Sequence, residues 1–75
     1  MVVIILTDHA KYRLLERGIS AHEVKKIAKN GQTIKVEANG IMIKMGMYND
    51  QQLSVVIKKY SNKIIILTLY YENYV

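Results

Sequence analysis

Leu6-Thr7-Asp8-His9-Ala10-Lys11-Tyr12-Arg13-Leu14-Leu15-Glu16-Arg17-Gly18-Ile19-Ser20 is the stretch from which the rest of the chain can be laid out. Thr7 and Asp8 offer side-chain oxygens to the orphan amides of a helix start, and good helix formers run from Ala10 to Arg17. Gly18 stops that helix. Upstream, Val2 to Leu6 is apolar and reads as a first strand. No basic region precedes it, and it is shorter than the roughly 7–15 apolar residues of a signal peptide. Downstream, Ser20-Ala21-His22-Glu23 has capping-box spacing and predicts a second helix. Its apolar positions Ala21, Val24, Ile27 and Ala28 share a face, His22, Lys25, Lys26 and Lys29 point elsewhere, and Asn30-Gly31 offers a left-handed C-terminus.

From Thr33 the period changes to two, with Ile34, Val36 and Ala38 alternating with Thr33, Lys35 and Glu37. Asn39-Gly40 suits a type I′ turn, so Ile41 to Met47 should return antiparallel to the preceding strand. Tyr48 to Gln51 makes a second turn, Gln52 to Tyr60 a third strand of this series, Ser61 to Lys63 a third turn, and Ile64 to Tyr71 the last strand. The expected fold is α+β: an N-terminal strand, then two helices packed on a four-stranded antiparallel meander, forming one domain over residues 1–75. On this reading Ile41, Ile43, Met45 and Met47 join Leu53, Val55 and Ile57 under the helices. Lys35, Met42, Lys44, Val56, Lys58 and Tyr60 then lie on the outer face, whose semi-apolar character suggests a binding or homodimer surface.

Composition narrows the function. The 75 residues carry 11 Lys plus Arg against 6 Asp plus Glu, a formal charge of +5, and no Cys, Trp, Phe or Pro. Disulfides, thiol nucleophiles and thiolate metal sites are excluded, and two histidines with scattered carboxylates make a poor ligand set. A domain this small buries only about 60% of the surface its unfolded chain exposes, which leaves little room for a deep cofactor cleft. No metal or cofactor is therefore expected. The basic balance favours RNA, DNA, an acidic protein or an anionic surface as partner. The apolar run Ile64 to Tyr71 falls well short of the roughly 20 residues that span a bilayer, so a cytoplasmic protein is expected.

His9, Arg13 and Arg17 fall at i, i+4 and i+8, one stripe of a helix. Imidazole moves protons near neutral pH, and guanidinium holds phosphate through planar, paired hydrogen bonds. Such a set suits phosphodiester transesterification of RNA, in which the 2′-OH loses a proton and cations stabilise the charge gathering on phosphorus. The plainer reading pairs Arg13 with Glu16, sets Arg17 against the helix dipole and leaves His9 bonded to a carbonyl. Tyr70 can donate to phosphate or stack on a base, with Thr68 beside it, although tyrosines of a sheet are more often core cover. Lys44 and Lys58, and on the second helix Lys25 and Lys26, are candidate backbone contacts or simply a solvated surface.

The opening stretch has the form T-x-H-A-x-x-R-x-x-x-R-G-I-S and resembles a family of small bacterial and archaeal proteins known as domain of unknown function 4258. The likeness extends through a second helix and a meander to a closing strand of the type Ile65-Ile66-Leu67-Thr68-Leu69-Tyr70. That family looks related to the barnase, colicin and RelE-like ribonuclease fold. The resemblance implies RNA cleavage without metal, by a toxin held in check by an antitoxin protein. It matches His9, Arg13 and Arg17 to the motif and Thr68 with Tyr70 to the terminal strand. A RelE-like site rich in sheet arginines is not reproduced, so Lys44 or Lys58 would substitute. Two expectations of function result: a metal-independent ribonuclease, or a non-catalytic basic module that binds nucleic acid or an acidic partner.

Overall fold

Thr7 ends strand β1 (Val3–Leu6) and caps helix α1 (Asp8–Arg17) in the computed structural model, which describes residues 2–71. Its backbone is extended, and its Oγ1 accepts a hydrogen bond from Ala10 N at 3.1 Å, satisfying one of the free amides of the first turn. Gly18 closes α1 with φ 65° and ψ 38°, a conformation in which any Cβ would be strained. Helix α2 (Ala21–Asn30) follows and buries Val24, Ile27 and Ala28.

Both ends of α2 differ from expectation. Ser20 makes no side-chain cap, and its amide donates to Tyr48 Oη at 3.3 Å, so the group that Glu23 would have to reach is already engaged. Gly31 is extended (φ −68°, ψ 168°), not left-handed. A different constraint selects glycine there: a Cβ would lie 2.5 Å from the Ile27 carbonyl oxygen and 2.9 Å from that of Met45.

The remaining strands are β2 (Gln32–Val36), β3 (Ile41–Tyr48), β4 (Gln51–Lys59) and β5 (Lys63–Tyr71). Asn39 (φ 64°) with Gly40 (φ 77°), and Asn49 (φ 53°) with Asp50 (φ 63°), give the paired positive φ values that tight turns between twisted strands require. Among the described residues the sheet has five strands in the order β1-β5-β4-β3-β2. β2 to β5 pair antiparallel in succession, as expected, but β1 adds a parallel strand beside β5, so the sheet is mixed and larger than a four-stranded meander. The register sets Ile4 against Ile64 and Leu6 against Ile66, which extends the apolar face to the sheet edge.

The expected faces of β3 are exchanged. Met42 pairs with Ile57, Lys44 with Val55 and Gly46 with Leu53, and those three β4 residues are fully buried beneath the helices. Ile41, Ile43, Met45 and Met47 therefore lie on the open face. The cause is the approach of α2, whose Ile27 would stand 2.7 Å from a Cβ on Gly46, so the strand presents a glycine and two pliable side chains to the helix. The core joins Ala10 and Leu14 of α1 and Val24, Ile27 and Ala28 of α2 to Leu53, Val55 and Ile57 of β4 and Ile64, Ile66 and Leu69 of β5. A register shift opposite Val56 and Ile57 leaves Leu67 unpaired, which lets Ile66 and Leu69 both face inward and turns Thr68 and Tyr70 outward. Each large aliphatic side chain buried there contributes about 1.5–3 kcal/mol. Among the described residues no helix is long and apolar enough to cross a membrane.

Candidate nucleic-acid interface

The helical repeat sets His9, Arg13 and Arg17 about 6 Å apart along α1, a stripe about 12 Å long flanking the buried Ala10 and Leu14. His9 and Arg17 are exposed. Arg13 is half-buried: its Nη1 is 3.6 Å from Glu16 Oε1, and its Nε is shielded from solvent with no hydrogen-bond partner. The guanidinium is thus packed along its stem while its outer nitrogens reach solvent. The ion pair with Glu16 is long and surface-exposed, the kind that contributes little to stability, so it can yield to a phosphate.

The start of the stripe is tied to the far end of the chain. Thr7 N donates to Ile66 O at 3.1 Å, Thr7 Oγ1 donates to Leu67 O at 3.1 Å, and the same oxygen caps Ala10 N. β1 stops pairing at Leu6 and Ile66, so Thr68 to Tyr71 run on past its end. His9 lies two residues after the anchored Thr7, and Thr68 follows the anchored Leu67. The first turn of α1 and the outward-facing Thr68 and Tyr70 therefore belong to opposite layers that adjoin where β1 ends. Thr7→Val keeps the shape of the side chain and removes both hydroxyl bonds, and is expected to lower stability by about 1–2 kcal/mol in urea denaturation, with Thr7→Ser near wild type.

The lysines divide between the two faces. Lys58, across from Ile65, lies on the open face with Thr68 and Tyr70. Lys44 lies on the helix side, where its Nζ donates to Gly31 O at 3.4 Å, so it does not share a face with Lys35 and Lys58 as expected. Lys25 and Lys26 are exposed on α2, and Lys26 borders a shallow depression of about 200 Å³ with Glu23, Ile27, Asn30, Gly31, Gly46 and Met47. One cluster escaped the sequence reading: the Nζ atoms of Lys58 and Lys63 stand 5.5 and 5.0 Å from the ring centre of Tyr60. The signal lay in the turn at Ser61 to Lys63, which folds Lys63 back beside the strand carrying Lys58. Among the described residues no three His, Asp or Glu side chains gather as a metal-binding group.

A family model described as a domain of unknown function (DUF4258) matches residues 6–71. No curated protein and no solved structure matches the chain.

Proposed function

The chain belongs to the DUF4258 family, whose description carries no activity, and from the chemistry of its surface we propose that it is a metal-independent ribonuclease of RelE-like kind acting on single-stranded RNA. The toxin of a toxin-antitoxin pair is its proposed biological setting. One observation carries this reading: the hydrogen bonds of Thr7 to Ile66 and Leu67 hold the first turn of α1 beside the strand that bears Thr68 and Tyr70. The family motif and the terminal strand are thereby linked through a single residue.

In the proposed reaction His9 takes the proton of the 2′-OH, the 2′-oxygen bonds to phosphorus, and the bond to the 5′-oxygen breaks, leaving a 2′,3′-cyclic phosphate and a 5′-hydroxyl end. Arg13 stabilises the charge on the reacting phosphate, and Arg17, a further turn away, holds its neighbour. Solvent water protonates the departing 5′-oxygen, while Tyr70, Thr68 and Lys58, on the opposite layer, steady the strand where it passes the end of β1 onto the open face. Lys44, already bonded to Gly31, contributes positive potential from the other layer.

A non-catalytic RNA-binding module is the second reading, favoured by the exposure of His9 on an open surface. Incubation with end-labelled single-stranded RNA in EDTA separates the two. Products ending in cyclic phosphate are expected; a salt-sensitive gel shift without product would overturn cleavage and leave binding, and the absence of both would overturn either reading. Lys25→Ala with Lys26→Ala is expected to make the slope of log affinity against log salt shallower by about 1.4, as the loss of two phosphate contacts on a single strand requires. An unchanged slope would remove α2 from the interface.

A further inference from the structure

All five residues of β2 are exposed, although the strand is paired to β3 along one side. The helices pack mainly on β1, β3, β4 and β5, which leaves β2 open on both faces and along its outer edge. Ile34 is 45% and Val36 65% exposed, an unusual load of apolar surface for an unprotected edge. The edge is also neutral. Lys35, the sort of residue that normally guards an edge against pairing, is held 3.3 Å from Glu37.

The backbone direction at this edge is fixed. Glu37 N donates to Ile41 O at 2.7 Å, so its amide points toward β3, and the alternation of an antiparallel ladder then turns the amide and carbonyl of Val36 outward. A second copy brought up by a two-fold axis through Val36 would meet it as a hydrogen-bonded pair, each Val36 donating to and accepting from the other. The same axis sets Lys35 opposite Glu37 of the other copy, and Glu37 opposite its Lys35. The alternative axis through Lys35 would oppose two lysines and leave Glu37 facing the uncharged Thr33 of the other copy. Hydrogen-bond direction makes Val36 available at the edge, and charge selects the register centred on it.

We propose that two copies of this chain associate through antiparallel pairing of their β2 edges, centred on Val36 and clamped by reciprocal Lys35–Glu37 ion pairs. The interface is isologous, as closed two-fold dimers require. It joins the sheets of both copies into one and leaves α1, with His9, Arg13 and Arg17, outside the contact. The register shift between Thr33 and Lys35 limits the ladder to a short span, so the association is weak and concentration-dependent.

The test is sedimentation velocity over a wide concentration range, with circular dichroism to confirm that each variant folds. Wild type is expected to shift from monomer to dimer as concentration rises. Lys35→Glu alone and Glu37→Lys alone should each raise the dimer dissociation constant at least about tenfold, because each sets like charges opposite one another. An equimolar mixture of those two variants should restore association. In the mixed pair, the carboxylates at positions 35 and 37 of one chain meet the ammonium groups at positions 37 and 35 of the other. Val36→Lys, which places two ammonium groups on the axis, should abolish association. A wild type that stays monomeric throughout, a dimer indifferent to all three substitutions, or a mixture that fails to associate would each overturn the proposal.

Discussion

His9→Ala is expected to slow cleavage of single-stranded RNA by about 10²–10⁴-fold, the range over which a positioned general acid or base accelerates a proton transfer. Retention of the same RNA at low salt should change little. The reasoning is local: His9 is exposed, two residues beyond Thr7, and none of the hydrogen bonds that anchor the helix start uses its side chain. Its removal therefore leaves the capped first turn and the two arginines in place, and a loss of rate reports on chemistry. Arg13→Ala should behave differently. It removes a cation from the reacting phosphate, so it should weaken both binding and rate, and it also opens the packed space around the shielded Nε. Cleavage by His9→Ala at the wild-type rate would move the proposed proton acceptor off α1.

Gly31→Ala is expected to lower the unfolding free energy by about 3 kcal/mol, whereas Gly46→Ala should cost about 1 kcal/mol, as measured by urea denaturation. Both substitutions add one methyl, and the backbone at Gly31 suits any residue. The contrast lies in what the methyl would strike. At Gly31 it meets the carbonyl oxygens of Ile27 and Met45 at 2.5 and 2.9 Å, which belong to the last turn of α2 and to β3. Relief requires the helix to move off the sheet. At Gly46 it meets Ile27 Cγ1 at 2.7 Å and Cδ1 at 3.1 Å, side-chain atoms with no backbone among them, so a small displacement of one side chain relieves part of the clash. Total stability for a chain of this length is only about 4–11 kcal/mol, so the Gly31 substitution removes a substantial fraction. Equal losses at the two sites would refute the close-approach account of Gly31.

Local chemistry explains which features could be read without the structure. Thr7 and Gly18 bound α1 because a hydroxyl and a left-handed backbone are what helix ends need, and Asn39-Gly40 turns the chain for a similarly local reason. The stripe of His9, Arg13 and Arg17 needs only the helical repeat. Non-local choices were hidden. Nothing near Val3 to Leu6 tells that strand to join β5 in parallel. The alternation on β3 misleads, because Ile41, Ile43, Met45 and Met47 are the more apolar set. The inward set follows instead from Ile27 settling over Gly46, a contact between elements far apart in sequence. That exchange also separates Lys44 from Lys58, and so divides the cationic residues between two layers. Ser20 illustrates the same limit at an amide, since Tyr48 takes the donor that a capping box would have used.

The sheet order has a consequence for synthesis on the ribosome. β1 is made first, yet its neighbour in the sheet is β5, and the bond from Thr7 Oγ1 to Leu67 O spans a separation of 60 residues. Until β5 emerges, β1 lacks its partner strand and the start of α1 has no anchor. Helices and the β2–β3 and β3–β4 hairpins rest on contacts close in sequence, whereas the joint between β1 and β5 has to wait for β5. A nascent chain halted before Leu67 would hold His9, Arg13 and Arg17 on an untethered helix. The proposed cleavage site would therefore be complete only once β5 has paired with β1.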